Sequence, residues 1–175
     1  MFILYAIPIG VLGGFLAGGR LEHLAAVRFR LAPVAMIALV IQLALFSALA
    51  DGLPTELVRG TYVLSTALVI VVVLANIRLT GVPLIVLGAA CNLAAVMANG
   101  GAMPASPAAL DALGLGVGGH TSSIAVAHPA LEPLTDVFAM PDWMPLANIF
   151  SVGDILIGLG VALAIAAAMR GTSRA

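Results

Sequence analysis

Two aspartates, Asp136 and Asp154, stand eighteen residues apart in the last third of a very apolar chain. A carboxylate beside hydrocarbon is costly and often marks a functional position. Two carboxylates brought close do not both ionise readily, so one keeps a proton while the other acts as base. That is the acid/base arrangement of an aspartic protease. Asp154 also has a plainer reading. In "FSVGDILIG" it follows Ser151 by three residues, the spacing of a capping box with Asp in place of Glu or Gln. A carboxylate in a first helical turn also complements the positive end of the helix dipole. The cap explains Asp154 without any chemistry, and it is the favoured reading.

Amides form the second polar set. Asn92 and Asn99 are seven residues apart, which puts them on one face of a helix, and Gln42 and Asn76 add amides to two other apolar runs. Amides in lipid must find partners, so hydrogen bonds between helices are expected. The functional alternative is a polar patch, Asn92 and Asn99 with Ser151, lining a ligand cavity open to the outside. His120 and His128 match no compact metal motif and have no cysteine beside them, so no metal is expected. "GLGVGG" lacks both the lysine of a phosphate-binding loop and a preceding strand. No cofactor and no nucleic-acid partner is expected, because no basic stripe is present. Cys91, the one cysteine, lies in an apolar run and reads as a small packing residue.

These residues must be positioned by membrane helices. Of 175 residues, 62% are hydrophobic and 9% charged, against about 25% charged in soluble domains. The mean hydropathy is +1.19. A bilayer core of about 30 Å takes roughly 20 apolar residues per helix. Five segments come near that length: 2–18, 31–50, 61–77, 82–98 and 151–169. The reading is an all-α integral membrane bundle of five transmembrane helices in a single domain, 1–175. Long Leu/Ala/Val runs lack the alternation of a membrane barrel. There is no lysine, and six of the seven arginines (Arg20, Arg28, Arg30, Arg78, Arg170 and Arg174) fall on one side if every segment spans; only Arg59 falls on the other. The positive-inside rule then puts the N-terminus outside and the C-terminus in the cytoplasm. "MFILYAIPIG" has no basic stretch ahead of it and is read as a retained helix, not a cleaved leader. Gly10, Gly14 and Gly18 recur every four residues and predict a face packed against another helix of the same chain.

Between the segments, "RLEHLAAVRFR" reads as a short interfacial link with His23 solvated. "DGLPTELVRG" reads as an outside turn in which Pro54, Thr55 and Glu56 open a helix. Residues 99–150 form an outer loop of about fifty residues, too long to be structureless in a compact protein. It is expected to fold into a cap on the outer leaflet, with Phe138, Met140, Trp143 and Met144 at the membrane–water interface. "SPAALDAL" predicts a short helix with Ser106 as N-cap and Pro107 first. "NGG", at residues 99–101, reads as a helix end and turn.

The blocks "GGRL", "RFR", "NGGAMP", "LTDVF" and "FSVGDILI", in this order, resemble a family of small bacterial multi-pass membrane proteins of unknown function. The resemblance implies an inner-membrane location and no defined activity. A fainter likeness is to the lipoprotein signal peptidases, whose second catalytic block is similar to "FSVGD". It implies Asp136 and Asp154 as a dyad activating water at the outer membrane surface. The asparagine and arginine that flank the first aspartate in those enzymes are missing around "PLTDVF", and their second-block asparagine is Ser151 here. The favoured expectation is a binding or accessory protein holding a lipid-like ligand or a partner's membrane helix under its outer cap. The alternative is a membrane-embedded aspartic hydrolase using Asp136 and Asp154.

Overall fold

The structure, a computed structural model, describes residues 2–45, 53–100, 103–114, 123–126 and 128–171. His120, most of "GLGVGG" and the end of the second apolar run lie outside them. The chain is mostly helical. It divides into two compact units, Met1–Val27 with Leu79–Arg174, and Arg28–Arg78.

The first unit is built on three helices: α1 (Ala6–Leu16), α4 (Val82–Ala98) and α6 (Val152–Met169). Both α1 and α4 pack on α6. Glycines let the backbones meet. Gly81 and Gly88 are seven residues apart on one side, Gly153 and Gly160 on the other, so each pair shares a helix face. Gly88 lies against Gly153 and Ile157, and Gly81 against Gly160, so α4 and α6 run in opposite directions. A Cβ at Gly153 would come within 2.7 Å of the Gly88 carbonyl oxygen, and one at Gly160 within 2.6 Å of that of Gly81. On the other face, Phe2 and Ala6 meet Gly158, Gly10 meets Ala162, and Gly14 meets Met169. Hence α1 and α6 run the same way. The predicted face of Gly10 and Gly14 is buried here, inside the chain. Gly18 is not part of it. It sits at φ +75° just past the helix, where Gly18 N–H donates to Phe15 O and Gly19 N–H to Gly14 O. Those two bonds make a Schellman end, which needs the left-handed conformation that glycine adopts freely.

The second unit is a helical hairpin of α2 (Ala32–Leu45) and α3 (Thr55–Ala75). The helix begins at Thr55, as the Pro54-Thr55-Glu56 start predicted, six residues ahead of the apolar segment's expected bound at 61. Pro54 stands at the N-cap, and the polar turn Thr55–Arg59 joins the helix.

The described residues between α4 and α6 are folded. They hold α5 (Pro107–Ala112), a parallel pair β1 (Met103–Ala105) and β2 (Ser123–Ala125), and an antiparallel pair β3 (Phe138–Ala139) and β4 (Ile149–Phe150). Ala105, Ala109, Leu110 and Ile149 form their small core. Pro107 begins α5 behind Ser106, as its sequence predicts.

Among the described residues, Val152–Met169 is the one helix both long and apolar enough to cross a membrane. Phe2–Leu16, Ala32–Leu45 and Val82–Ala98 are apolar but shorter. A helix rises about 1.5 Å per residue, so these cover less than a bilayer core of about 30 Å. The five expected spans therefore reduce, on length and composition, to one clear candidate.

The glycine contacts make a contrast that can be measured. Gly88→Ala forces its new carbon against the α6 backbone and should destabilise the protein by about 1–3 kcal/mol. Gly13 has open space around it, so Gly13→Ala should be neutral or stabilising by up to about 1 kcal/mol. Unfolding of the purified variants in detergent measures both.

Candidate functional site

Ser151, Asp154 and Asn92 meet where α6 begins. Ser151 is the N-cap: its Oγ accepts from the Asp154 N–H at 3.1 Å, and its own N–H donates to Asp154 Oδ2 at 3.1 Å. The capping box read from the spacing is therefore present. Asn92, on α4, completes a ring. Its Nδ2 donates to Asp154 Oδ1 at 2.9 Å, and its Oδ1 accepts from Ser151 Oγ at 2.8 Å. Four hydrogen bonds thus run Asn92–Asp154–Ser151–Asn92 in a closed loop. Gly153 makes the ring possible, because the Asn92 amide lies in the space a side chain would occupy there. Ser151 is fully buried, while Asn92 and Asp154 are half-buried. Both carboxylate oxygens already hold donors, so the ring ties α4 to the helix mouth and satisfies a terminus that would otherwise leave bare N–H groups.

Asn99 does not join this ring. It is the C-cap of α4 and clamps a distant strand of backbone. Its Nδ2 donates to Ala95 O at 2.7 Å and to Ala130 O at 2.8 Å, and its Oδ1 accepts from the Ala130 N–H at 2.9 Å. The second unit repeats the device. Asn76, the C-cap of α3, donates to Val72 O at 2.7 Å and to Arg30 O at 2.8 Å, and accepts from the Arg30 N–H at 2.8 Å. The residue after each clamped one is a leucine in the left-handed region, Leu31 at φ 61° and Leu131 at φ 54°. The two helix ends also read alike, Val73-Leu74-Ala75-Asn76 and Val96-Met97-Ala98-Asn99.

Asp136 is set by backbone bonds in the cap. Its N–H donates to Pro104 O and its carbonyl accepts from the Ser106 N–H, both at 3.0 Å, which adds it to β1 as a bridge beside Ala105. The residue is 7% exposed. Two residues on, Phe138 pairs with Phe150, directly before the Ser151 cap. The β3–β4 ladder therefore carries the segment of Asp136 towards the mouth of α6.

One residue read as solvated has a structural task. His23 is half-buried, and its Nδ1 lies 2.7 Å from Met169 O, an oxygen that also accepts from the Arg20 N–H at 2.8 Å. The link after α1 thus closes the far end of α6. Two basic-side residues supply this end, whose carbonyls have no partners within the helix. Among the described residues no group of three or more acidic, histidine or cysteine side chains could hold a metal ion.

The ring sets an expected outcome. Asn92→Ala leaves a carboxylate oxygen and the Ser151 hydroxyl short of a partner and should cost about 1–3 kcal/mol. Ser151→Ala should cost about 1 kcal/mol. The double variant should be less destabilised than the sum by at least about 0.5 kcal/mol; strict additivity would mean that the two residues act separately. Thermal unfolding of the four proteins measures this.

No curated protein and no solved structure matches the chain. One family model does, over residues 26–166, which takes in "RFR", "NGGAMP", "LTDVF" and "FSVGDILI" and leaves "GGRL" just ahead of it. On that match, the chain belongs to the family of unknown function DUF5317.

Proposed function

We propose that this is a multi-pass protein of the bacterial inner membrane, with its N-terminus outside and five spans. In this reading it is a binding or accessory protein that holds a lipid-like molecule or a partner's helix under its outer cap. The observation that carries the reading is the closed ring. The amide, hydroxyl and carboxylate at the mouth of α6 bond one another, so what a visiting molecule meets nearby is apolar. Met97, two residues before the Asn99 clamp, is 72% exposed, and Leu131, next to the clamped Ala130, is 50% exposed. The directions of α1, α4 and α6 are those that five alternating spans require. The arginines support the same orientation, and no Lys or Arg occurs between Leu79 and Met169.

Topology is checked by reporter fusions. Alkaline phosphatase should be active when fused within the cap, near Ser106, and inactive after Arg30 or Arg170. A fluorescent protein should give the reverse pattern. The opposite result at Ser106 would reject the orientation.

The hydrolase alternative is favoured by a different observation, the β3–β4 ladder that brings the segment of Asp136 towards Asp154. The two readings separate on a set of variants. For a binding protein, lipid retained through purification and read by native mass spectrometry should fall in Met97→Lys and Leu131→Lys, and survive in Asp154→Asn. For a hydrolase, cleavage of membrane-anchored peptides should be abolished in both Asp136→Asn and Asp154→Asn, each protein remaining folded.

A further inference from the structure

The β3–β4 hairpin ends in a tight turn, residues 141–146, closed by the Met144 N–H on Pro141 O at 3.0 Å and the Ala147 N–H on Met144 O at 3.2 Å. The turn points apolar side chains into the open. Trp143 is 78% exposed and Leu146 63%. Leu146 is at φ 57°, a left-handed position where a water-facing turn would ordinarily carry glycine or asparagine. The turn contains no cation; Asp142 is its one charged residue.

Its height is set by other contacts. The Tyr5 hydroxyl donates to Pro145 O, which fixes the turn beside the first residue of α1. Phe150, just ahead of α6, stacks on Phe2 with ring centroids 4.3 Å apart, and on Phe138 at 5.4 Å. Aromatic side chains therefore gather at one level, at the N-terminal ends of the two parallel helices α1 and α6. That is the level at which Trp and Tyr collect around membrane spans, their rings in the headgroup zone and their polar atoms towards water.

We infer that this turn is a wedge seated in the headgroup zone of the outer leaflet, and that its partner is the lipid surface itself. The inference rests on the membrane reading above. It goes further in assigning the cap a second, shallow attachment made by Trp143 and Leu146. With no cation in the turn, the attachment depends on apolar burial and not on lipid charge.

Trp143 is the one tryptophan of the chain, so its fluorescence reports on the wedge without labelling. The full-length protein is reconstituted into phosphatidylcholine vesicles whose acyl chains carry bromine either near the headgroup or near the chain end. Emission should be blue-shifted, strongly lost with the shallow bromine, little affected by the deep one, and weakly quenched by aqueous acrylamide. Replacing part of the lipid with phosphatidylglycerol should leave this unchanged. Leu146→Asp should shift emission towards its value in water while the protein still floats with the vesicles. Water-like emission of the unaltered protein on floating vesicles would overturn the wedge and leave the membrane reading intact. Stronger loss with the deep bromine would overturn it in favour of a re-entrant segment. Failure of the protein to float with the vesicles would overturn both readings.

Discussion

The structure of the larger unit depends on the close approach of α6 to two other helices at once. Glycines on the contact faces make that approach possible, meeting backbone on the α4 side and both backbone and side chains on the α1 side. Gly153 and Gly160 open one face of α6 to α4, and Gly158 lies at Ala6 of α1 and at Phe2 ahead of it. A helix that meets another backbone to backbone gains close packing and brings polar groups within hydrogen-bond reach. The ring at Asn92 therefore belongs to the same constraint: only where the backbones nearly touch does an asparagine of one helix reach the first turn of the next.

A second constraint is the backbone at helix ends. The C-caps of α3 and α4 meet it in the same way, with an asparagine that takes the carbonyl four residues back and both polar groups of a remote residue. The side-chain amide imitates a peptide group, so the remote residue is held as if in a sheet. This gives each unit a fixed connection that asks nothing of the side chain it holds, Arg30 in one and Ala130 in the other. The left-handed leucine that follows turns the chain sharply away, at a backbone cost of about 1–2 kcal/mol.

Much of this was legible in the residues, and what was not has physical causes. The Ser151–Asp154 cap is a local pattern, and local spacing reads directly. The bounds of α4 follow from Pro83 at one end and "NGG" at the other, and the face of Gly10 and Gly14 from a four-residue period. The partners of these features are long-range. Nothing near Asn92 announces Ser151, and the Asn99 clamp grips backbone atoms, which carry no residue identity. The seven-residue spacing of Gly81 with Gly88, and of Gly153 with Gly160, is visible in the sequence, but its meaning needs the knowledge of which helices pair. The strands of the cap are two or three residues long, too short to show alternation. At α3 the helix start at Pro54, Thr55 and Glu56 was legible, while the apolar run alone placed the segment from 61, because its first turn is polar. His23 read as solvated because its partner is a main-chain oxygen far along the chain.

Because α1 and α4 both pack on α6, the order of synthesis acquires a meaning. The chain emerges with α1 first and α4 well before α6, so two helices with glycine faces precede the helix on which both pack. When α6 follows, it meets both, and Asn92 of α4 takes its first turn. Until α6 is made, Asn92 lacks the partners of its ring and the glycine faces lack the backbone they pack on. The main helix contacts of the larger unit thus form only once α6 has been made.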